Sequence, residues 1–408
     1  MFSYLVITLL WTIVLINWKL FRDPIYPGFL QSAIWAICAT ALVSISSDFY
    51  PIHEYTWLLV LIGVICFSMG SLLATTRHRP FRQANKPGII PQRLIIRLLL
   101  IVLIGFLPIV MFQAYQFMHS WISENPFVNL RYAISDKTGG DGYGIKAYLI
   151  PLAFFIANIQ LIRYLSLKDK RELFVTFICI VIAFIYGLLS SGRGVIFSFV
   201  LSQIVILLTL RRVSAAQAGI LLCVIGATLF VGLGMLTNKM PSVMGGVRGE
   251  MIGNTLKAYF LSSIPALDQL ITKGSNYDGG IHTFRSILAI LKAIGAYIQV
   301  PPLVWKFTSV PYSTNLYTVY SPYFEDYGLL VLPLFQVFFG LTHGFLYRKA
   351  TVKGPRPVYV FLFSIFMFAL ITQFALDSYF SLLSTWIQYI VYSGLFLVAF
   401  AVNAKQAR

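Results

Sequence analysis

The sequence predicts an all-α polytopic membrane protein, a bundle of about 11 transmembrane helices with one large outer loop that holds short amphipathic helices. Three observations lead there. Of 408 residues 58% are hydrophobic and 11% charged, against about 25% charged in an ordinary soluble chain. The apolar residues gather into runs long enough to cross a hydrocarbon layer, about 20 residues each. The lysines and arginines recur in every second connection between those runs.

The runs extend from Phe2 to Leu20, Gly28 to Ile45, Tyr55 to Thr75, Leu98 to Met118, Ile145 to Ile162, Leu173 to Leu189, Gly194 to Leu210, Ala215 to Leu236, Leu329 to Tyr347, Val358 to Phe374 and Leu382 to Val402. The first run lacks a basic leader and a small-residue cleavage site, so it is read as a span rather than a signal peptide. One set of connections holds Lys19 and Arg22, then Arg77, Arg79, Arg82, Lys86, Arg93 and Arg97, then Arg163, Lys168, Lys170 and Arg171. Arg211 and Arg212, Arg348, Lys349, Lys353 and Arg356, and finally Lys405 and Arg408 complete that set. The alternate short connections, Ser46 to Glu54 and Asp377 to Ser381, hold no basic residue. An outside N-terminus and an inside C-terminus satisfy this pattern over residues 1–408, taken as a single integral membrane domain.

Four cysteines, Cys38, Cys66, Cys179 and Cys223, all fall inside runs, which suits packing rather than a disulfide framework or a metal site. The sequence contains no phosphate-loop motif, no H-E-x-x-H zinc motif and no D-x-D pair, so no metal and no cofactor is expected. The net charge of +17 is mostly topological signal, and nucleic acid is not an expected partner.

Two outer connections are long, residues 119–144 and 237–328. The second exceeds by far the roughly 15 residues of a passive loop. Leu256 to Leu270 and Thr283 to Gly295 mix apolar and basic positions, which predicts short helices lying against the bilayer. The 11 basic residues outside the inner set, of the 31 in the chain, all lie on this outer side. Among them are Arg131, Arg193, Arg248 and Arg285. A guanidinium fork matches phosphate oxygens in pairs, so arginines gathered at an outer face suit a lipid-linked pyrophosphate, although lysines in a long loop serve lipid headgroups as well. Arg193 stands out because Ser190 to Gly194 is a tight break between two runs, with small residues on both sides. The long loops also carry Asp326, Glu325 and His282 as candidate bases, and aromatic residues such as Tyr317 and Tyr320 that stack on sugars or anchor at an interface.

Three local patterns resemble the O-antigen polymerase (Wzy) family of oligosaccharide repeat unit polymerases. They are Ser191-Gly192-Arg193-Gly194 opening a run, an Arg-x10-Gly pattern from Arg131 to Gly142, and Asn315 to Tyr320 followed by Glu325-Asp326-Tyr327-Gly328 leading into a run. Arg285 begins a second stretch whose glycine, Gly295, comes one position early. The resemblance implies a metal-independent glycosyltransferase of the bacterial inner membrane with its active site facing the periplasm. Its substrates would be oligosaccharides linked to undecaprenyl pyrophosphate, and a chain-length regulator is an implied partner. Arg193, Arg131, Arg248, Arg285, Tyr317 and Tyr320 would then contact substrate, with Asp326, Glu325 or His282 as base. An O-antigen ligase shares these features and differs in its acceptor. A flippase or other transporter would need ionisable residues along a path inside the membrane, and the runs are nearly free of charge away from their ends.

Overall fold

The computed structural model describes every residue except 77, 79, 81–86, 89, 120–122, 135–141, 237–247, 303 and 407–408, and omits the side chains at 225, 227, 229–236, 248–252 and 398–406. Among the described residues the chain is all-α apart from one two-stranded hairpin. In chain order the helices are α1 Phe2–Phe21, α2 Pro27–Ser44, α3 Glu54–Thr75, α4 Arg93–Met118, α5 Pro126–Ile134, α6 Leu149–Leu167, α7 Lys170–Leu189 and α8 Arg193–Thr209. They continue with α9 Ala215–Leu236, α10 Arg248–Phe260, α11 Ser263–Lys273, α12 Arg285–Ala293, α13 Ser321–Tyr327, α14 Leu332–Ala350, α15 Pro357–Ile371 and α16 Leu383–Gln406.

Eight helical segments are long and apolar enough to cross a membrane: α1 to α4, Gly144–Leu167, α7, Leu329–Ala350 and Pro357–Phe374. They coincide with eight of the expected runs. The other three runs fall in α8, an apolar helix of 17 residues, and in α9 and α16. Local chemistry sets many boundaries. Pro27 occupies the first turn of α2, where its missing N–H costs nothing. The Asp169 side chain caps α7 by accepting from the Arg171 N–H at 3.1 Å, and α1 and α6 end on Arg22 and Lys168 in left-handed conformation.

The chain divides into two compact units, each assembled from separated stretches. The first comprises residues 1–80, 243–348 and 366–384. Its helices pack by backbone approach: a Cβ on Gly340 of α14 would lie 2.1 Å from the Phe67 carbonyl of α3, and one on Gly70 of α3 would lie 2.3 Å from the Val337 carbonyl. Such small-residue seams are what holds helices together where lipid offers no hydrophobic drive between them. At one end of this unit the Tyr347 hydroxyl donates to Asp23 at 2.8 Å. In its interior the Gln31 side-chain amide donates to Gln373 at 3.2 Å.

The opposite end of the first unit, next to residues 46–54, carries residues 248–328. Lys257 of α10 pairs with Asp48 at 2.6 Å. Asp268 of α11 accepts from the Thr56 hydroxyl at 2.6 Å and the His53 N–H at 3.0 Å, so it satisfies donors at the start of α3. The amphipathic stretch expected from Leu256 to Leu270 is split into α10 and α11. Pro265 explains the break, because proline has no N–H to continue a helix and is accepted only in a first turn. The hairpin, β1 Thr308–Ser309 and β2 Ser313–Thr314, pairs antiparallel, and Gln269 binds it through both the Ser309 carbonyl and the Thr308 hydroxyl.

The second unit comprises residues 81–242, 349–365 and 385–408. Glu172, buried in the first turn of α7, accepts from Arg163 Nε at 3.0 Å, Arg163 Nη2 at 3.2 Å and Gln160 at 3.0 Å, and lies 3.4 Å from Arg93 Nε. Arg163 also donates to the Pro91 carbonyl. This staple joins the start of α4, the end of α6 and the start of α7. Because α4 and α7 both leave it in the same direction, Met118 and Leu189 lie at the far end.

Two substitutions test the seams. Gly340→Leu is expected to destabilise the protein by about 1–3 kcal/mol through overpacking against the α3 backbone, read as a lowered unfolding temperature in detergent. Glu172→Ala leaves two guanidinium groups facing an emptied, mostly buried position and is expected to cost roughly 3 kcal/mol, with Glu172→Gln recovering part of the loss.

Candidate functional site

The acidic candidates meet at the outer-loop end of the first unit. Helix α13 is short and almost wholly buried, and it ends on Gly328 at φ 71°, a left-handed position that glycine takes without a side-chain clash. Residues 275–283 wrap around its last turn as a collar. The Asp278 and Gly279 N–H groups donate to the Glu325 and Asp326 carbonyls at 3.2 and 3.3 Å, and the Ser275 hydroxyl donates to the Glu325 carbonyl at 3.0 Å. Gly279 and Gly280, at φ 66° and 98°, make the turn possible, and the Tyr327 hydroxyl closes against Gly280.

Asp326 is the anchor of this collar. Its carboxylate accepts from the Thr283 N–H at 2.6 Å, the Thr283 hydroxyl at 2.6 Å and the His282 N–H at 3.1 Å. Both oxygens are engaged by the protein itself. Among the described residues the Glu325 carboxylate has one weak polar contact, the Asn276 N–H at 3.4 Å. Burial pushes its pKa above the usual carboxylate range, and the neighbouring Asp278 and Asp326 charges act in the same direction, whereas the Asn276 N–H and His282 oppose the shift. A carboxylate so placed is better suited than an ordinary one to exchange a proton near neutral pH.

His282 sits between a carboxylate and an aromatic ring. Its Nε2 is 3.2 Å from Asp278 Oδ2, and its ring stacks on Trp305 with centroids 5.1 Å apart and planes 23° apart. Trp305 continues to Tyr317 at 5.9 Å, whose hydroxyl donates to the Lys306 carbonyl at 2.9 Å. Arg285, at the first turn of α12, donates from Nε to the Pro301 carbonyl at 2.8 Å. The structure thus brings Glu325, Asp326, His282, Tyr317 and Arg285 into one region of the first unit. Tyr320 is elsewhere: its ring is buried among the helices, 5.7 Å from Trp35 and against Gly63. Arg248 opens α10, but its side chain lies outside the described residues.

Arg131 and Arg193 belong to the second unit. Arg131 is in the last turn of α5, which folds back on the end of α4 through a hydrogen bond from the Asn129 amide to the Met118 carbonyl at 3.2 Å. Arg193 is the first residue of α8, capped by Gly192, and Ser191 before it has φ 51°. Lys146 lies at the same end and donates to Gln113 at 2.6 Å, while the Tyr143 hydroxyl reaches the Leu189 carbonyl at 2.9 Å. Three cations and the N-terminus of α8 therefore share the end of this unit remote from Glu172. A helix start carries free N–H groups and partial positive charge, which favours anions. Residues 135–141, the centre of the Arg131 to Gly142 pattern, lie outside the described residues.

From sequence Asp278 and Trp305 stand only among the many acidic and aromatic residues of the long loop, and Thr283 only as the start of an expected helix. The signal for Asp278 was its spacing of four from His282, next to a Gly-Gly turn. Trp305 is separated from His282 by 22 intervening residues and had no local signal. Among the described residues no group of three or more His, Cys, Asp or Glu is arranged to hold a metal ion. No protein-family model, curated protein or solved structure matches the chain.

Glu325 gives a pH test with a defined sign. Its pKa is raised in the folded state, so its favourable contribution to stability is complete below the unfolded carboxylate pKa of about 4.3 and is lost as pH rises through the folded value. Glu325→Gln removes that loss, and its unfolding temperature relative to the parent is expected to rise as pH is raised from about 4 through the folded pKa. A difference that stays flat over this range would show that Glu325 is not perturbed.

Proposed function

We propose that this chain is a glycosyltransferase of the bacterial inner membrane that polymerises oligosaccharide repeat units carried on undecaprenyl pyrophosphate, at the periplasmic face. The observation that carries the reading is the Ser191-Gly192-Arg193-Gly194 junction. It resembles the pattern of O-antigen polymerases, and it stands at the start of α8 on the same end of its unit as Arg131 and Lys146. An arginine at a helix N-terminus is chemically matched to a pyrophosphate.

In this reading the non-reducing-end hydroxyl of one lipid-linked unit attacks the anomeric carbon of the donor's reducing sugar. A new glycosidic C–O bond forms, the anomeric bond to pyrophosphate breaks, and undecaprenyl pyrophosphate leaves with the bonding pair. Arg193 and Arg131, both of the second unit, offset the charge that develops on the leaving group. Glu325 is the preferred acceptor for the hydroxyl proton, because its carboxylate is less engaged than that of Asp326 and burial makes it more basic. His282 is the second candidate. Asp326 acts as the anchor that positions both, through the collar. Trp305, partly buried against the core that holds Tyr317, supplies aromatic surface of the kind that stacks on sugar rings.

The test is a gel of surface lipopolysaccharide from a strain lacking the gene, complemented with variants. Loss of polymerisation leaves lipid A core bearing a single repeat unit, and that outcome supports the proposal. Core without any repeat unit would point instead to a ligase or a flippase. In a purified assay Arg193→Ala is expected to slow polymerisation by about a hundredfold or more, the usual effect of removing one preorganised charge-stabilising donor, and normal polymerisation by that variant would overturn the arginine's role.

A further inference from the structure

The start of helix α12 is fixed to the turn after the span Pro357–Phe374: the Ser286 hydroxyl donates to the Phe380 carbonyl at 3.3 Å and the Phe284 ring meets Phe380 edge-on at 5.6 Å. Beyond that start Ile287, Ile290 and Ile294 fall along one side of the helix, with Ile290 half exposed and Ile294 75% exposed. Exposed Ile281 precedes the helix, and exposed Tyr297 follows it. A soluble surface rarely leaves such a row uncovered.

The row does not end in solvent. Its start lies beside the entry of the span Leu329–Ala350, because Tyr277 packs on Gly328 and Tyr327 on Gly280. There Leu329, Leu330 and Leu334 are themselves exposed, as residues facing acyl chains are. The charge on this stretch has one sign: between Asp278 and Glu325 the sequence holds Arg285, Lys292 and Lys306 and no acidic residue. Lys292 is exposed on α12.

We propose that α12 is a surface anchor bedded in an anionic bilayer, with its isoleucines at the boundary of headgroups and acyl chains and Lys292 at the lipid phosphates. An apolar face flanked by cations binds such a surface by area and by charge together. The collar that grips Glu325 and Asp326 runs directly into this helix, so the anchor holds the collar at the height of the membrane surface. The proposal is independent of glycosyl transfer.

The test uses the full-length chain with its four cysteines replaced and a nitroxide introduced through Ile290→Cys, reconstituted into nanodiscs of phosphatidylcholine with or without phosphatidylglycerol. The expected result is that collisions with oxygen exceed those with a water-soluble nickel chelate several-fold in the anionic discs, and less so in the neutral ones. Adding Lys292→Glu is expected to move the label toward water in the anionic discs only. Ile294→Cys provides the same measurement should Ile290→Cys fold poorly. Collisions dominated by the nickel chelate in both lipids would overturn the proposal. So would dipolar broadening between singly labelled molecules, which would mean that a second copy of the chain covers the row, or an unchanged depth with Lys292→Glu.

Discussion

A backbone in hydrocarbon has no water to bond to, so each N–H and C=O must be satisfied within its own segment. That constraint explains why the apolar runs are helices and why, among the described residues, the only strands, Thr308–Ser309 and Ser313–Thr314, lie outside those runs. It also explains how the helices meet. With little to gain from burying one apolar face against another, contact depends on close approach, and Gly70 and Gly340 leave the α3 and α14 backbones room for it. Inside the bundle the Gln31 and Gln373 side chains pair with each other.

The segment from α10 to α13 obeys different physics. It is built around two carboxylates that act on backbone. Asp268 satisfies donors at the start of α3, which fastens α11 to the helices. Asp326 gathers the Thr283 and His282 amides and so fixes the collar. Each replaces water at N–H groups that would otherwise be stranded, and a charged acceptor makes those hydrogen bonds stronger than neutral ones. The chemistry available to Glu325 and His282 follows from this scaffolding rather than from their own contacts.

The helices were legible because a run of apolar residues bounded by charge is a local signal, and eight of the expected runs coincide with helices of sufficient length and hydropathy. The region around Glu325 was legible in part. Its acidic pair and His282 were picked out by type and by side of the membrane, but the division of labour between Glu325 and Asp326 was not. That division depends on where Thr283 and Asn276 present their amides, 43 positions from Asp326 and 49 positions from Glu325. Tyr320 shows the opposite case. An aromatic residue in an outer connection reads as interface or sugar platform, yet this one is turned inward to fill the space left by Gly63.

The discontinuity of the first unit bears on how the protein is made. Its stretches end at residue 384 and are interrupted twice, and Gln31 finds its partner in Gln373, 342 positions later. A chain inserted from its N-terminus must therefore hold α1 to α3 in the bilayer, with the small-residue face of α3 unfilled, until α14 and the turn after α15 have been synthesised. During that interval Gln31 has only lipid, water or the insertion machinery as neighbours. Premature termination after α13 would strand the early helices with exposed polar groups, the kind of intermediate that membrane quality control recognises, whereas α6 and α7, which are adjacent in sequence, could pair as soon as both had entered the bilayer.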